Sequence, residues 1–185
     1  AAASEGESKI PAHLLERSKA AKAKAEGGAP ASTEVATAAG GVATAIAPAA
    51  GANEIAIAVV GAHLSGMPLN GELRSLGARF LEKTTTAPDY KLYALEGTRP
   101  PKPGLLRVHK GKGAAIEIEI WALSADAFGR FVANIPPPLG IGTLTLPDGR
   151  GGKGFLVEAE AVKGGHDISD FGGWRAYMAE QRAPA

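Results

Sequence analysis

The chain has 185 residues, with 20 basic side chains against 19 acidic ones and no cysteine. That length holds one domain of ordinary size, or a smaller one with an appendage, but not two independent cores. The missing cysteines exclude disulfides, zinc-thiolate centres and thiol nucleophiles. The balanced charge, without a basic stripe, excludes the usual electrostatic footprint of a nucleic-acid binder.

Residues 1–53 are dominated by Ala, Gly, Ser, Thr and Pro, and all ten Phe, Trp and Tyr residues lie from Phe80 onward. Such a segment has little with which to offset the entropy of ordering, so it reads as a flexible Ala/Gly-rich tail. Within it, Ser8, Lys9, Ile10 and Pro11 give a helix start, and Gly27 with Gly28 a stop, which outlines one short helix over 9–26. The most apolar stretch of the tail, 41–50, is too short to span a bilayer and contains Pro48, so no membrane partner is expected. Because no basic leader followed by an apolar core opens the sequence, the expected location is cytoplasmic.

At Glu54 the pattern changes, and residues 54–185 read as the folded domain. Ile55, Ile57, Val59 and Val60 make a buried strand that stops at Gly61. Leu69, Leu73 and Leu76 then recur at helical spacing over 68–76, with Gly77 as the C-terminal stop. Further strands are expected over 79–85, 90–95, 105–108, 115–123, 141–146 and 154–161. Two more helices are expected, one over 124–133 with Ser124 as N-cap and one over 172–181. Many strands with about three short helices, joined by Pro/Gly turns, point to an α+β domain built on a small mixed or antiparallel β-barrel.

The chemistry concentrates in the loop after the first strand, Gly61-Ala62-His63-Leu64-Ser65-Gly66. Gly61 and Gly66 let a ligand come close to the backbone, and Ser65 and the loop amides offer donors suited to a carboxylate. His63 can transfer a proton near neutral pH; its alternative role is to bond a neighbouring carbonyl. On the strand 115–123, alternation puts Glu117, Glu119 and Trp121 on one face and the isoleucines on the other. Two carboxylates beside a tryptophan could line a pocket, where desolvation would raise a pKa; the alternative is a half-exposed strand. Tyr90 and Tyr93 are three apart and cannot both face inward; one of the two is a candidate ligand contact, and the alternative is packing for both. Trp174 reads as a plug at the end of the barrel, and Arg175 as the cation for an anion. No histidine pattern has ligand spacing, so neither a metal nor another cofactor is expected.

Taken in order, IAIAVVGAHLSGMPLN at 55–70, TAPDYKLYAL at 86–95, GAAIEIEIWALSADAFGRFV at 113–132, PPPLGIGTLTLPDGRGGKGFLVEA at 136–159 and DISDFGGWRAYMA at 167–179 resemble the C-terminal domain of allophanate hydrolase. The resemblance covers nearly all of 55–181 and implies a γ-glutamylcyclotransferase-like fold. In that family an amidase domain with a Ser-Ser-Lys triad removes ammonia from allophanate, and the C-terminal domain breaks down the resulting N-carboxycarbamate to carbon dioxide and ammonia. The amidase region has no counterpart in this sequence, so the complete activity is not implied.

Carried over residue by residue, the family loop makes His63 the proton donor or base, with residues 61–66 as the substrate cradle. Glu117 and Glu119 are the carboxylate candidates, and Ala62, Leu64, Tyr90 and Arg175 the further ligand contacts. The expected ligand is a small dicarboxylate or carbamate, turned over by a lyase or hydrolase mechanism. An accessory role beside a separate amidase is the second reading. Cyclotransferase activity is the least favoured, because the glutamate setting is only loosely matched. The oligomeric state stays open, a homodimer included.

Overall fold

The computed structural model describes residues 50–182. The tail reading, with its helix over 9–26, therefore lies outside the described residues except at 50–53. The strands are β1 (Glu54–Val59), β2 (Arg79–Thr85), β3 (Tyr90–Leu95), β4 (Lys102–Arg107), β5 (Glu117–Ser124), β6 (Leu139–Thr145), β7 (Gly151–Val157) and the short β8 (His166–Asp167). The helices are α1 (Asn70–Ser75), α2 (Ala125–Ala133) and α3 (Trp174–Glu180). Ser124 caps α2 as its position suggests, its hydroxyl accepting the Ala127 N–H at 3.2 Å. Gly77 ends α1 with φ +73°, the left-handed conformation that favours glycine.

Five strands form one mixed sheet in the order β2-β5-β1-β7-β6, and three form a second sheet, β4-β3-β8. The content expected from the sequence, a mixed sheet with three helices, is present, but hydrogen bonding among the described residues stops at two sheets and does not close a single ring. β1 lies at the centre of the larger sheet, antiparallel to β5 and parallel to β7. Its β-branched side chains suit a fully covered strand: Ile57 and Val59 are completely buried, as are Ile118 and Ile120 of β5 and Leu144 of β6. Each such side chain contributes about 1.5–3 kcal/mol when fully buried.

Alternation alone makes β5 look half-exposed, yet both its faces are covered. Ile118 and Ile120 enter the core, and Glu119, on the opposite face, is only 3% exposed. A strand with a partner on each side and other elements over each face has no surface left for solvent, whatever its residue pattern. Tyr90 is also fully buried; its hydroxyl accepts the Thr145 N–H at 2.8 Å and ties β3 to β6. Among the described residues no helix is long and apolar enough to cross a membrane.

Candidate functional site

β1 delivers the chain to the middle of the sheet edge, where it turns sharply. The Leu64 N–H reaches the Gly61 carbonyl at 3.0 Å, and the Leu69 N–H returns to the Ala62 carbonyl at 2.8 Å. Asn70 closes the loop from α1, its side-chain amide donating to the His63 carbonyl at 2.9 Å. Gly61 is needed for packing: a Cβ there would sit 2.3 Å from Cδ of Pro103 in β4. Gly61→Ala is therefore expected to cost about 1–3 kcal/mol through overpacking. Urea denaturation measures this, and an unchanged midpoint would mean that Pro103 yields freely.

The loop presents His63 to a cavity of about 460 Å³. Val60, Gly61 and Ala62 line it beside His63; Glu72 of α1, Lys102 and Pro103 of β4, Phe131 of α2 and Phe155 of β7 supply other walls. The imidazole stacks on Phe155 with centroids 5.4 Å apart and meets Phe131 edge-on at 5.1 Å. Its Nε2 lies 3.0 Å from Oε2 of Glu72. Burial pushes the His63 pKa below the ordinary histidine value; the Glu72 carboxylate opposes that shift without cancelling it, and Lys102 adds to it. The result is a rigidly held imidazole, neutral at rest, backed by a carboxylate that favours its charged form.

Glu117, Glu119 and Arg175 come together, but outside that cavity. Oε2 of Glu119 accepts three hydrogen bonds, from Ser65 N–H and Ser65 Oγ, each at 2.8 Å, and from Trp121 Nε1 at 3.1 Å. Its other oxygen pairs with Arg175, which also reaches Glu117 and donates to the Ser65 carbonyl at 2.9 Å. Lys83 approaches Glu117 from β2. Burial acts to raise the Glu119 pKa, yet the donors from Ser65, Arg175 and Trp121 outweigh it and hold the carboxyl below its ordinary value. Glu117 is likewise lowered, with Lys83 and Arg175 overcoming desolvation. The direction is the reverse of that expected for carboxylates in an empty pocket, because these ones are saturated with donors.

Of the loop residues expected to cradle a ligand, Gly61, Ala62 and His63 face the cavity. Leu64 is buried in the core, and both Ser65 donors are committed to Glu119. Gly66 is not among the cavity walls and supplies a left-handed turn with φ +79°. Tyr90 and Arg175 are likewise absent from the walls, since one is bonded to β6 and the other is held by two glutamates. The network thus anchors the loop from behind. Glu119→Gln is expected to cost about 1.5–3 kcal/mol, the usual worth of a hydrogen bond to a charged group. Since the native carboxyl is lowered, its contribution is present above the ordinary carboxylate pKa of about 4.5 and is lost as pH falls through the lower native value. Denaturation curves from pH 7 to 3 should therefore show the parent and Glu119→Gln converging on the acid side, and a constant gap would contradict the assignment.

Sequence reasoning missed Glu72, Asn70, Lys102, Phe131 and Phe155. Glu72 had a usable signal, since it lies three residues after Leu69 and four before Leu76 and so shares their side of the helix. Lys102 and the two phenylalanines are brought in by tertiary pairing alone. Lys102 makes no ion pair among the described residues, whereas Arg130, also at the cavity, pairs with Asp126 at 2.7 Å. Among the described residues no group of three or more His, Cys, Asp and Glu side chains could hold a metal ion.

Fold and site together define a small α+β domain whose central strand carries a histidine to the wall of an open cavity. Residues 55–179 match the family model of the allophanate hydrolase C-terminal domain, and the chain belongs to that family. It is 42% identical over 127 residues to urea amidolyase of Saccharomyces cerevisiae, covering 67% of this chain and 7% of that protein. Urea amidolyase of Lachancea kluyveri is 40% identical over 129 residues, covering 68% of this chain and again 7% of the relative. Among solved structures, Kluyveromyces lactis allophanate hydrolase superposes with a TM-score of 0.67 at 41% identity, over 70% of this chain and 22% of that one. A uropathogenic E. coli-specific protein superposes with a TM-score of 0.62 at 30% identity, over 68% of this chain and 96% of that chain. The mixed sheets with three helices match the γ-glutamylcyclotransferase-like fold of these neighbours. The chain thus spans only a small part of the urea amidolyases it matches.

Proposed function

We propose that this domain breaks down N-carboxycarbamate, or a related small carboxylated urea derivative, with His63 as the proton donor. The observation that carries the reading is the His63 imidazole, held at the cavity by two aromatic rings and paired with Glu72. Membership of the family supports it, and Lys102 supplies a cation for a substrate carboxylate. A C–N bond to one carboxylate breaks, its electron pair stays on nitrogen, carbon dioxide leaves, and His63, once it has taken a proton from solvent, delivers that proton to the nitrogen. The carbamate product takes a second proton as it separates into ammonia and carbon dioxide. Glu72 stabilises the imidazolium before transfer and keeps the ring in place.

The direct test is release of ammonia and carbon dioxide from freshly generated N-carboxycarbamate by the full chain. Turnover above the spontaneous rate is expected, with loss on replacing His63. If the chain only matches the spontaneous rate yet retains carboxylate binding, the enzymatic reading gives way to that of a binding partner for a separate amidase.

A further inference from the structure

The cavity is large for the ligand just considered, and part of its wall is apolar. Its volume of about 460 Å³ equals that of about fifteen water molecules at ~30 Å³ each. N-carboxycarbamate has seven non-hydrogen atoms, and even if each took the room of a water molecule the dianion would fill less than half of the space. The volume lies within the roughly 300–1,000 Å³ typical of pockets for larger organic ligands.

The walls are also unevenly divided. His63, Glu72, Ser75, Lys102, Arg130 and Asn134 supply the polar groups, while Leu69, Leu76, Phe131, Ile135, Leu139 and Phe155 provide an apolar surface. A dianion needs compensation for two charges, and Glu72 repels both. The cavity offers Lys102 for one; its other cation, Arg130, is exposed and shared with Asp126 in a weak i,i+4 pair. An apolar wall gives nothing to a second carboxylate, but it gains from an alkyl or aryl group.

We infer that the cavity selects a singly charged carboxylate bearing an apolar substituent, with the carboxylate toward Lys102 and the substituent on the Phe131, Ile135 and Phe155 wall. An N-substituted carbamate is the reactive member of this class. Its C–N bond breaks, carbon dioxide leaves, and His63 supplies the proton that completes the departing amine. This inference rests on the reading of the cavity as the ligand site with His63 as donor, and it changes what occupies the space beyond the reacting group.

Titration calorimetry of the full chain with acetate, butyrate, hexanoate and phenylacetate tests it, with malonate as the stable analogue of the dianion. Affinity is expected to rise about fourfold per added methylene, and hexanoate and phenylacetate should bind more tightly than malonate. Ile135→Ser should flatten the dependence on chain length, and Lys102→Met should weaken the whole series by a similar factor. Affinity that does not vary with chain length, or malonate as the tightest ligand, overturns the inference while leaving turnover of N-carboxycarbamate untouched. If no carboxylate binds, the inference fails; if His63→Asn also leaves turnover unchanged, the reading of the site itself fails.

Discussion

Replacing His63 by Asn is expected to lower turnover of N-carboxycarbamate by about 10²–10⁴, the usual contribution of a positioned acid or base. Asn keeps a polar group but cannot carry the proton. The lost ring contacts with Phe131 and Phe155 should cost only about 0.5–1.5 kcal/mol each, so the variant should remain folded. The pH dependence gives the sharper readout. Burial lowers the pKa of His63, and the proton-donating form is depleted as pH rises through that value. In the parent, kcat/KM should therefore fall with a limb on the acid side of the ordinary histidine value of about 6.5, and the limb should be absent from the variant. Glu72→Gln removes the group that opposes the shift, so it should move the limb to still lower pH. Stability follows the same linkage. Below about 6.5 the unfolded chain binds more protons than the native one, so the parent loses stability on acidification through a term that His63→Asn lacks. Full turnover by His63→Asn would reduce the loop to a binding surface.

Truncating Trp174 to Ala should destabilise the fold by about 3–5 kcal/mol, among the largest costs of a single core substitution. The residue is only 2% exposed and opens α3, with its ring 5.4 Å from that of Tyr177. Its buried Nε1 has no hydrogen-bond partner among the described residues, so the indole contributes by volume rather than by a polar bond. Trp174→Phe, which keeps an aromatic ring without the unpaired N–H, should accordingly retain most of the stability. The same helix carries Arg175, which holds the Ser65 carbonyl two residues beyond His63. Turnover should therefore fall with stability in Trp174→Ala and survive in Trp174→Phe. A near-native denaturation midpoint for Trp174→Ala would contradict this role.

Local rules made much of the fold legible. The β-branched run in β1, the Ser124 cap, the Gly77 stop and the leucine spacing of α1 each depend on neighbours a few residues away, and each stands close to where it was expected. The parity of β5 was readable for the same reason, since side chains two apart share a face: Trp121 donates to Glu119. What covers that face was not readable. Only α3, folding back from more than fifty residues downstream, converts Glu117 and Glu119 from apparent pocket carboxylates into partners of Arg175.

The candidate site divides along the same line. By itself the sequence determined that a glycine-bearing loop carrying His63 follows the first strand, because Gly61 and the end of β1 are adjacent in the chain. Tertiary structure decided which loop atoms face the cavity, that Glu72 stands behind His63, and that Lys102 is the cation beside it. Such placements depend on strand order and on packing between distant segments, and those are properties of the whole core rather than of any local run of residues.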